Sequence, residues 1–302
     1  MATVKEYWST LKGTFEEWKE DEATTWAASV AFYAVISLAP LAVLAVVIAG
    51  LVFGEQAAQG QLAAQMEGMV GPEGAEVVQT TIANADQPGS GQGLLATIGS
   101  IVILFLGASK VFAQLQKALN RMWDVRVDPE AGISTKLKKR LVGFGMVLLV
   151  GVFLLAAIAA STAISSFGQV AAEIPGGATV WSVAELALSV ALFTGLFGAL
   201  FKYVPDVEIE WSDVWIGAFV TAVLFTVGKW ALGLYFAYGS VGSSYGAAGS
   251  LVVLLVWIYY SAMIFFFGAE YTQVHAQRRG RRLEPTEEAI REPDSFGGAE
   301  PA

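Results

Sequence analysis

Six stretches of the chain carry no acidic or basic side chain: 23–54, 87–109, 141–172, 186–201, 214–228 and 230–269. A helix needs about 20 mostly apolar residues to cross a bilayer, so several of these runs are long enough alone. The last is too long for one helix, and its "YGSVGSSYGAAG" (238–249) supplies a Gly/Ser turn that divides it. The pattern predicts six spans, at about 26–53, 94–118, 141–167, 180–203, 213–236 and 248–273.

Two further segments are amphipathic. Val4, Trp8, Leu11, Phe15 and Trp18 recur at spacings of 4, 3, 4 and 3, which places one apolar stripe on a helix with charged remaining faces. Two tryptophans in the stripe suit a helix lying along a membrane surface. Residues 55–93 read as two short outer helices hinged at Gly71-Pro72, followed by the linker "DQPGSGQG" (86–93). Its glycines follow no strand and precede no Lys-Ser/Thr, so they do not form a phosphate loop. The expected fold class is an all-α membrane protein of six transmembrane helices. Residues 1–25 form the interfacial helix, 26–275 the membrane domain, and 276–302 a basic, then acidic, disordered tail.

Composition agrees. Hydrophobic residues make up 55% and charged residues 15%, with mean hydropathy +0.56, whereas soluble domains run near ~25% charged. The absence of cysteine excludes disulfides and thiolate metal sites. Three lysines and six acids in residues 1–22 do not read as a signal peptide.

Charge placement sets the expected orientation. Lys5, Lys12 and Lys19 precede the first span, and Lys117, Arg121, Arg126, Lys136, Lys138, Lys139 and Arg140 cluster around and after the end of the second. Lys202 ends the fourth; Arg278, Arg279, Arg281, Arg282 and Arg291 follow the last. Connections 54–93, 168–179 and 237–247 contain no basic residue. The positive-inside rule counts Lys and Arg, so both termini are expected in the cytoplasm. Trp26, Trp123, Trp181, Trp211 and Trp215 fall at span ends, where an interfacial belt belongs.

Several blocks resemble a known family: "AASVAFYAVISLAPL" (27–41), "LGASKVFAQLQKALNRMWDV" (106–125), "LFKYVPD" (200–206), "WSDVWIGAFVTAVLF" (211–225) and "YGAAGSLVVLLVWIYYSAMIFFFGAEY" (245–271). In order and together, they resemble the YihY/virulence factor BrkB family. Phe201-Lys202 stands where many members carry Tyr-Arg. The resemblance implies a six-span protein of the cell inner membrane, from a group once labelled ribonuclease BN.

The residues themselves argue against a nuclease. Metal-dependent phosphodiester cleavage needs carboxylates or histidines converging on one or two ions, but the single histidine, His275, sits at a helix end. The alternating acids of "DVEIEW" (206–211) read as a solvated turn between spans 4 and 5. A net charge of −9 argues against nucleic acid as a partner. No enzyme activity, metal or cofactor is expected.

Charges inside spans are more informative, because each costs ~2.5–3.5 kcal/mol near mid-bilayer. Lys110, Lys202 and Glu270 fall toward the expected cytoplasmic side, with the two lysines as candidates to neutralise Glu270. Glu185 and Lys229 fall toward the outside as a candidate structural pair. Pro40 predicts a kink in span 1, with Tyr33 and Ser37 on the kinked face, and Tyr245 joins the outer turn. Each group reads as helix-packing ion pairs or as a polar cavity. The cavity reading predicts a protein that transports or binds an amphipathic or anionic solute, with membrane lipid the leading class. The alternatives are an envelope scaffold and, third, a membrane-bound hydrolase.

Overall fold

The computed structural model describes residues 4–37, 110–130, 177–238, 249–281 and 283–291, with scattered residues between 132 and 160. Pro40, Tyr245, the expected outer segment 55–93 and most of spans 1 to 3 lie outside the described residues. The described helices are α1 (Val4–Glu20), α2 (Ala23–Ile36), α3 (110–122), α4 (Leu141–Phe153), α5 (Gly177–Tyr203), α6 (Trp211–Tyr238) and α7 (Gly249–Arg278). Four short strands accompany them: β1 (Val125–Val127), β2 (Val207–Glu208), β3 (Glu284–Pro285) and β4 (Ala289–Arg291).

Helices α5, α6 and α7 are each long and apolar enough to cross a membrane. Only 22% of the most apolar stretch of α5, and 33% of those of α6 and α7, is buried inside the molecule. Val180, Val183, Val227 and Trp230 all point outward and are more than half exposed. So much exposed apolar surface is untenable in water and natural against lipid.

The inner faces meet in an aromatic core. Phe193 and Phe197 of α5 pack on Phe225 of α6, and Phe201 packs on Phe265 of α7 with centroids 4.9 Å apart. Trp123, just past α3, meets Phe201 edge-on at 6.1 Å. Helix α7 is the centre of the assembly: it touches α1, α2 and α6, and residues 268–274 are all buried.

Helix α1 has the expected amphipathic character, and its outer stripe is open, with Trp8 72% and Phe15 48% exposed. Its other face docks on α7. Thr10 and Thr14 are buried there, Gly13 lies close to Val274 and Arg278, and Trp18 donates from Nε1 to the Met263 carbonyl at 3.3 Å. Arg278 closes the other end, donating to the hydroxyl and the carbonyl of Ser9. The order of these contacts makes α1 antiparallel to the end of α7.

The described residues are mostly helical, as the expected fold class requires, with two short strand pairs added: β1 antiparallel to β4 and β2 antiparallel to β3. One expectation needs correction: the tail is not disordered throughout 276–302. Its residues 283–291 cross the ends of α3 and α5, with Thr286 N–H donating to the Asp206 carbonyl at 3.0 Å. Asp128 N–H donates to the Glu288 carbonyl at 3.1 Å, and Ala289 is buried. Backbone pairing to two separate turns fixes a polar segment that has no apolar pattern of its own.

Candidate functional site

The segments that carry most of the described Lys and Arg converge at one end of the bundle. The turn between α1 and α2, the end of α3, the turn between α5 and α6, the end of α7 and the tail all meet there. Two buried carboxylates tie them together. Asp206 accepts from Gln116 Nε2 at 3.0 Å, Asn120 Nδ2 at 2.7 Å and Lys139 Nζ at 2.7 Å, and its own N–H donates to Asn120 Oδ1. The "DVEIE" acids are therefore not one solvated turn. Glu208 and Glu210 are exposed, but Asp206 is 7% exposed because four groups replace its water. Asp213, 1% exposed, binds Arg281 at 2.6 Å and Arg279 at 3.5 Å; Arg281 also reaches Glu210 at 2.6 Å.

Three clefts open at this end. The largest, about 930 Å³, is lined by Trp123, Asp124, Gln273, Gln277, Arg281 and Arg291 among others. A second, about 560 Å³, lies between Lys202, Glu208, Glu210, Trp211 and Glu284. The third, about 600 Å³, is lined by Lys139, Lys202, Tyr203, Glu208, Glu287 and Glu288. Lys202 thus stands between two clefts. Its ammonium donates to the Ile209 carbonyl at 2.5 Å and forms no ion pair with a described carboxylate. An aromatic row borders it: Tyr203 meets Trp211 edge-on at 5.9 Å, and Trp211 stacks on Trp215 at 5.7 Å.

Glu270 lies elsewhere, and its surroundings correct the expectation. α7 presents Gly268 and Thr272 to α6; Glu270, about 200° around the helix, faces the α1–α2 turn. It is fully buried, and no donor group bonds either of its carboxyl oxygens. Lys110 is exposed and Lys202 bonds Ile209, so neither neutralises it. The charged groups acting on Glu270 are the acids Asp21, Glu17 and Asp124. Asp21 is 6% exposed and pairs with Arg121 at 3.2 Å. Burial, opposed by the Arg121 guanidinium and reinforced by the Asp124 carboxylate, pushes the Asp21 carboxyl up to about 7.

The remaining expected residues are not brought together. Glu185 is exposed and Lys229 half-buried, and they form no ion pair. Both lie 18 residues from the α5–α6 turn (203 − 185 and 229 − 211), so matching depth along the two helices does not by itself pair them. Tyr33 is half-buried and Ser37 buried at the end of α2, away from the clefts. Asp21 and Asp124 were not singled out in the sequence, and Asp206 was read as part of a solvated turn, because all three flank helices in polar turns, where solvation is the ordinary fate. For Asp206 the signal was "YVPD", with a proline that stops α5 just before a carboxylate.

The sequence profile of the family described as virulence factor BrkB matches residues 14–293, from α1 through β4. The chain belongs to the virulence factor BrkB family. A UPF0761 membrane protein of Photobacterium profundum is 30% identical over 274 residues, covering 88% of this chain and 80% of its own length. One from Vibrio vulnificus is 29% identical over 228 residues, 71% of this chain and 70% of that protein. A third, from Pseudomonas aeruginosa, is 34% identical over 173 residues, 56% of this chain and 40% of its own. No solved structure matches. The matched BrkB region takes in both the Glu270 face and the tail strands.

Proposed function

We propose that this BrkB-family membrane protein binds and moves an amphipathic solute of lipid type, and that the clefts around Lys202 receive its headgroup. The supporting observation is Lys202 itself: a cation without a described carboxylate partner, opening into two clefts beside an exposed row of Tyr203, Trp211 and Trp215. Aromatic rings of this kind sit at the level of lipid headgroups. We place this end in the cytoplasm, because the Lys- and Arg-bearing segments gather there, and the protein in the inner membrane. The acids Glu208, Glu210, Glu287 and Glu288 line the same clefts. The site is therefore not the net-positive one expected from Lys110, Lys202 and Glu270. A headgroup with both a phosphate and an ammonium fits this mixed lining better than a bare anion. The reading involves no catalysis, cofactor or nucleic acid.

A second reading, an envelope scaffold, draws on the position of these three clefts at one end, where none of the three includes Lys110 or Glu270. Native mass spectrometry of the purified protein separates the two. Bound phospholipid should be retained, and Lys202→Met should weaken it about tenfold or more, the loss of one charge-assisted contact worth about 1.5–3 kcal/mol. Retention that ignores Lys202→Met removes the headgroup site. Absence of any retained lipid favours the scaffold.

A further inference from the structure

Glu270 is left unused by the solute reading, and it is the most unusual side chain in the molecule. It is 0% exposed, and among the described residues no donor reaches either oxygen and its charged neighbours are acids. An ionised carboxylate there would be buried beside like charges with no cation of its own, which costs several kcal/mol. Something must compensate, and the surroundings limit what it can be. None of the three clefts includes Glu270 or Asp21. Among the described residues, no three acidic or imidazole groups are arranged to hold a metal ion. Of the charged groups around Glu270, however, Asp21 acts on it most strongly, and the two carboxyls interact as a hydrogen-bonding pair does once one of them carries a proton.

We propose that Asp21 and Glu270 form a proton-binding site in which two carboxyls hold one proton between them, and that this proton fastens the α1–α2 turn to α7. Two like charges in contact cannot both ionise cheaply, so a shared proton is their ordinary solution. The groups facing the pair are Glu17 from α1, and Arg121 and Asp124 from the end of α3. Arg121 pairs with Asp21 from the partly exposed side, which leaves the Glu270 side uncompensated. The backbone around the site is also unusual. Glu22 and Asp124, the described non-glycine residues with positive φ, have values of 52° and 54° and sit beside Asp21 and within the acid cluster. Such conformations collect at sites held in place by their surroundings. Asp21 is the route by which the proton exchanges with water, since it belongs to the turn and Glu270 to the buried helix.

The proposal fixes the sign of a pH effect. Asp21 titrates at about 7 in the folded chain against its ordinary 3.8, so between these values the folded state holds a proton that the unfolded state has lost. Stability must then fall as pH rises from the ordinary aspartate range toward neutrality. An Asp21 that acted only as the ionised partner of Arg121 would have lost its proton in both states throughout this window and would contribute no slope there.

The test uses the purified full chain in lipid nanodiscs and does not depend on any solute. Infrared difference spectra follow the C=O stretch of protonated carboxyls, and thermal melts are recorded over the same pH series. The wild type should show a carboxyl band that titrates near neutral pH, together with a melting temperature that falls over that range. Glu270→Gln and Asp21→Asn should each abolish or displace the band and flatten the melting curve. Should Glu270→Gln fail to fold, Asp21→Asn carries both readouts. A band retained unchanged in a folded variant, or wild-type stability that is flat or rises with pH through this range, overturns the site.

Discussion

Gly217 of α6 lies directly against Thr272 of α7, so close that a Cβ at Gly217 would overlap the threonine hydroxyl. The relationship is reciprocal: a Cβ at Gly268 of α7 would overlap the hydroxyl of Thr221 on α6. Both hydroxyls donate one turn back along their own helices, Thr221 to the Gly217 carbonyl at 2.7 Å and Thr272 to the Gly268 carbonyl at 2.8 Å. Small residues spaced four apart let helix backbones approach within a membrane, and here two reciprocal contacts bring α6 and α7 together. Gly217→Ala should therefore cost about 1–3 kcal/mol through overpacking, and Thr272→Gly in the same chain should recover part of that cost. A double-mutant cycle on unfolding free energy measures the coupling; additive effects would mean that the two helices separate without consequence.

The Asp206 cluster makes a different demand. Its carboxylate holds Gln116, Asn120 and Lys139, and its backbone holds Thr286, so α3, the start of α4 and the tail share one anchor. Asp206→Ala removes the anion and leaves Lys139, whose side chain is 13% exposed, without compensation. Breaking a buried pair in this way costs about 3–5 kcal/mol, and partial exposure of Lys139 points to the lower end. Asp206→Asn should cost less, because the amide oxygen still accepts from Asn120. Limited proteolysis should cut the tail faster in the alanine variant. The same variants test the nuclease label: neither the wild type nor either variant should cleave RNA, with or without a divalent metal.

The three long spans were legible because length and apolarity suffice to mark them. Spans expected at 180–203, 213–236 and 248–273 appear as Gly177–Tyr203, Trp211–Tyr238 and Gly249–Arg278. The last runs five residues past its expected end because Val274 and Ala276 are buried there, with Val274 against α1. Of the expected stripe Val4, Trp8, Leu11, Phe15 and Trp18, the period placed Trp8, Leu11 and Phe15 on the exposed face, whereas Trp18 turns toward α7 to bond the Met263 carbonyl. Contacts between charges were not. Asp21 and Glu270 lie almost a whole chain apart, and no local pattern says which acid a buried glutamate will face. Sequence distance favoured Lys110 and Lys202, whereas helix phase turned Glu270 away from both. The tail strands were invisible for a related reason: two and three residues of polar chain become strands only through the turns they pair with.

Orientation can be checked by thiol labelling, because the chain contains no cysteine. Single cysteines at Gln59, Gly176 and Ser243 should react with an impermeant reagent added outside intact cells. Cysteines at Ser134 and Ser295 should react only after the membrane is opened. Outside labelling of Ser134 would invert the protein and move the Lys202 clefts to the opposite face of the membrane.

Arg279 and Arg281 share Asp213, and the geometry makes them unequal. Arg281 approaches at 2.6 Å and also holds Ser212 and Glu210, while Arg279 stands at 3.5 Å and is more exposed. Asp213 is almost entirely buried in the first turn of α6, where the helix dipole adds to its stabilisation. Arg281→Met should therefore cost about 1–3 kcal/mol: less than the loss of a fully buried pair, since Arg279 remains. Arg279→Met alone should change little, near the range of a surface ion pair, about 0–1 kcal/mol. The double variant leaves Asp213 buried with neither arginine, so its cost should exceed the sum of the singles. Because Arg281 is also where the tail turns back toward β3, the Arg281 variants should loosen the tail to protease, while Arg279→Met should not. Chemical denaturation of the four proteins, read beside the proteolysis rates, decides the matter. Strictly additive energies with unchanged proteolysis would reduce Asp213 to an ordinary helix-end acid, and the tail would then be held by its strands alone.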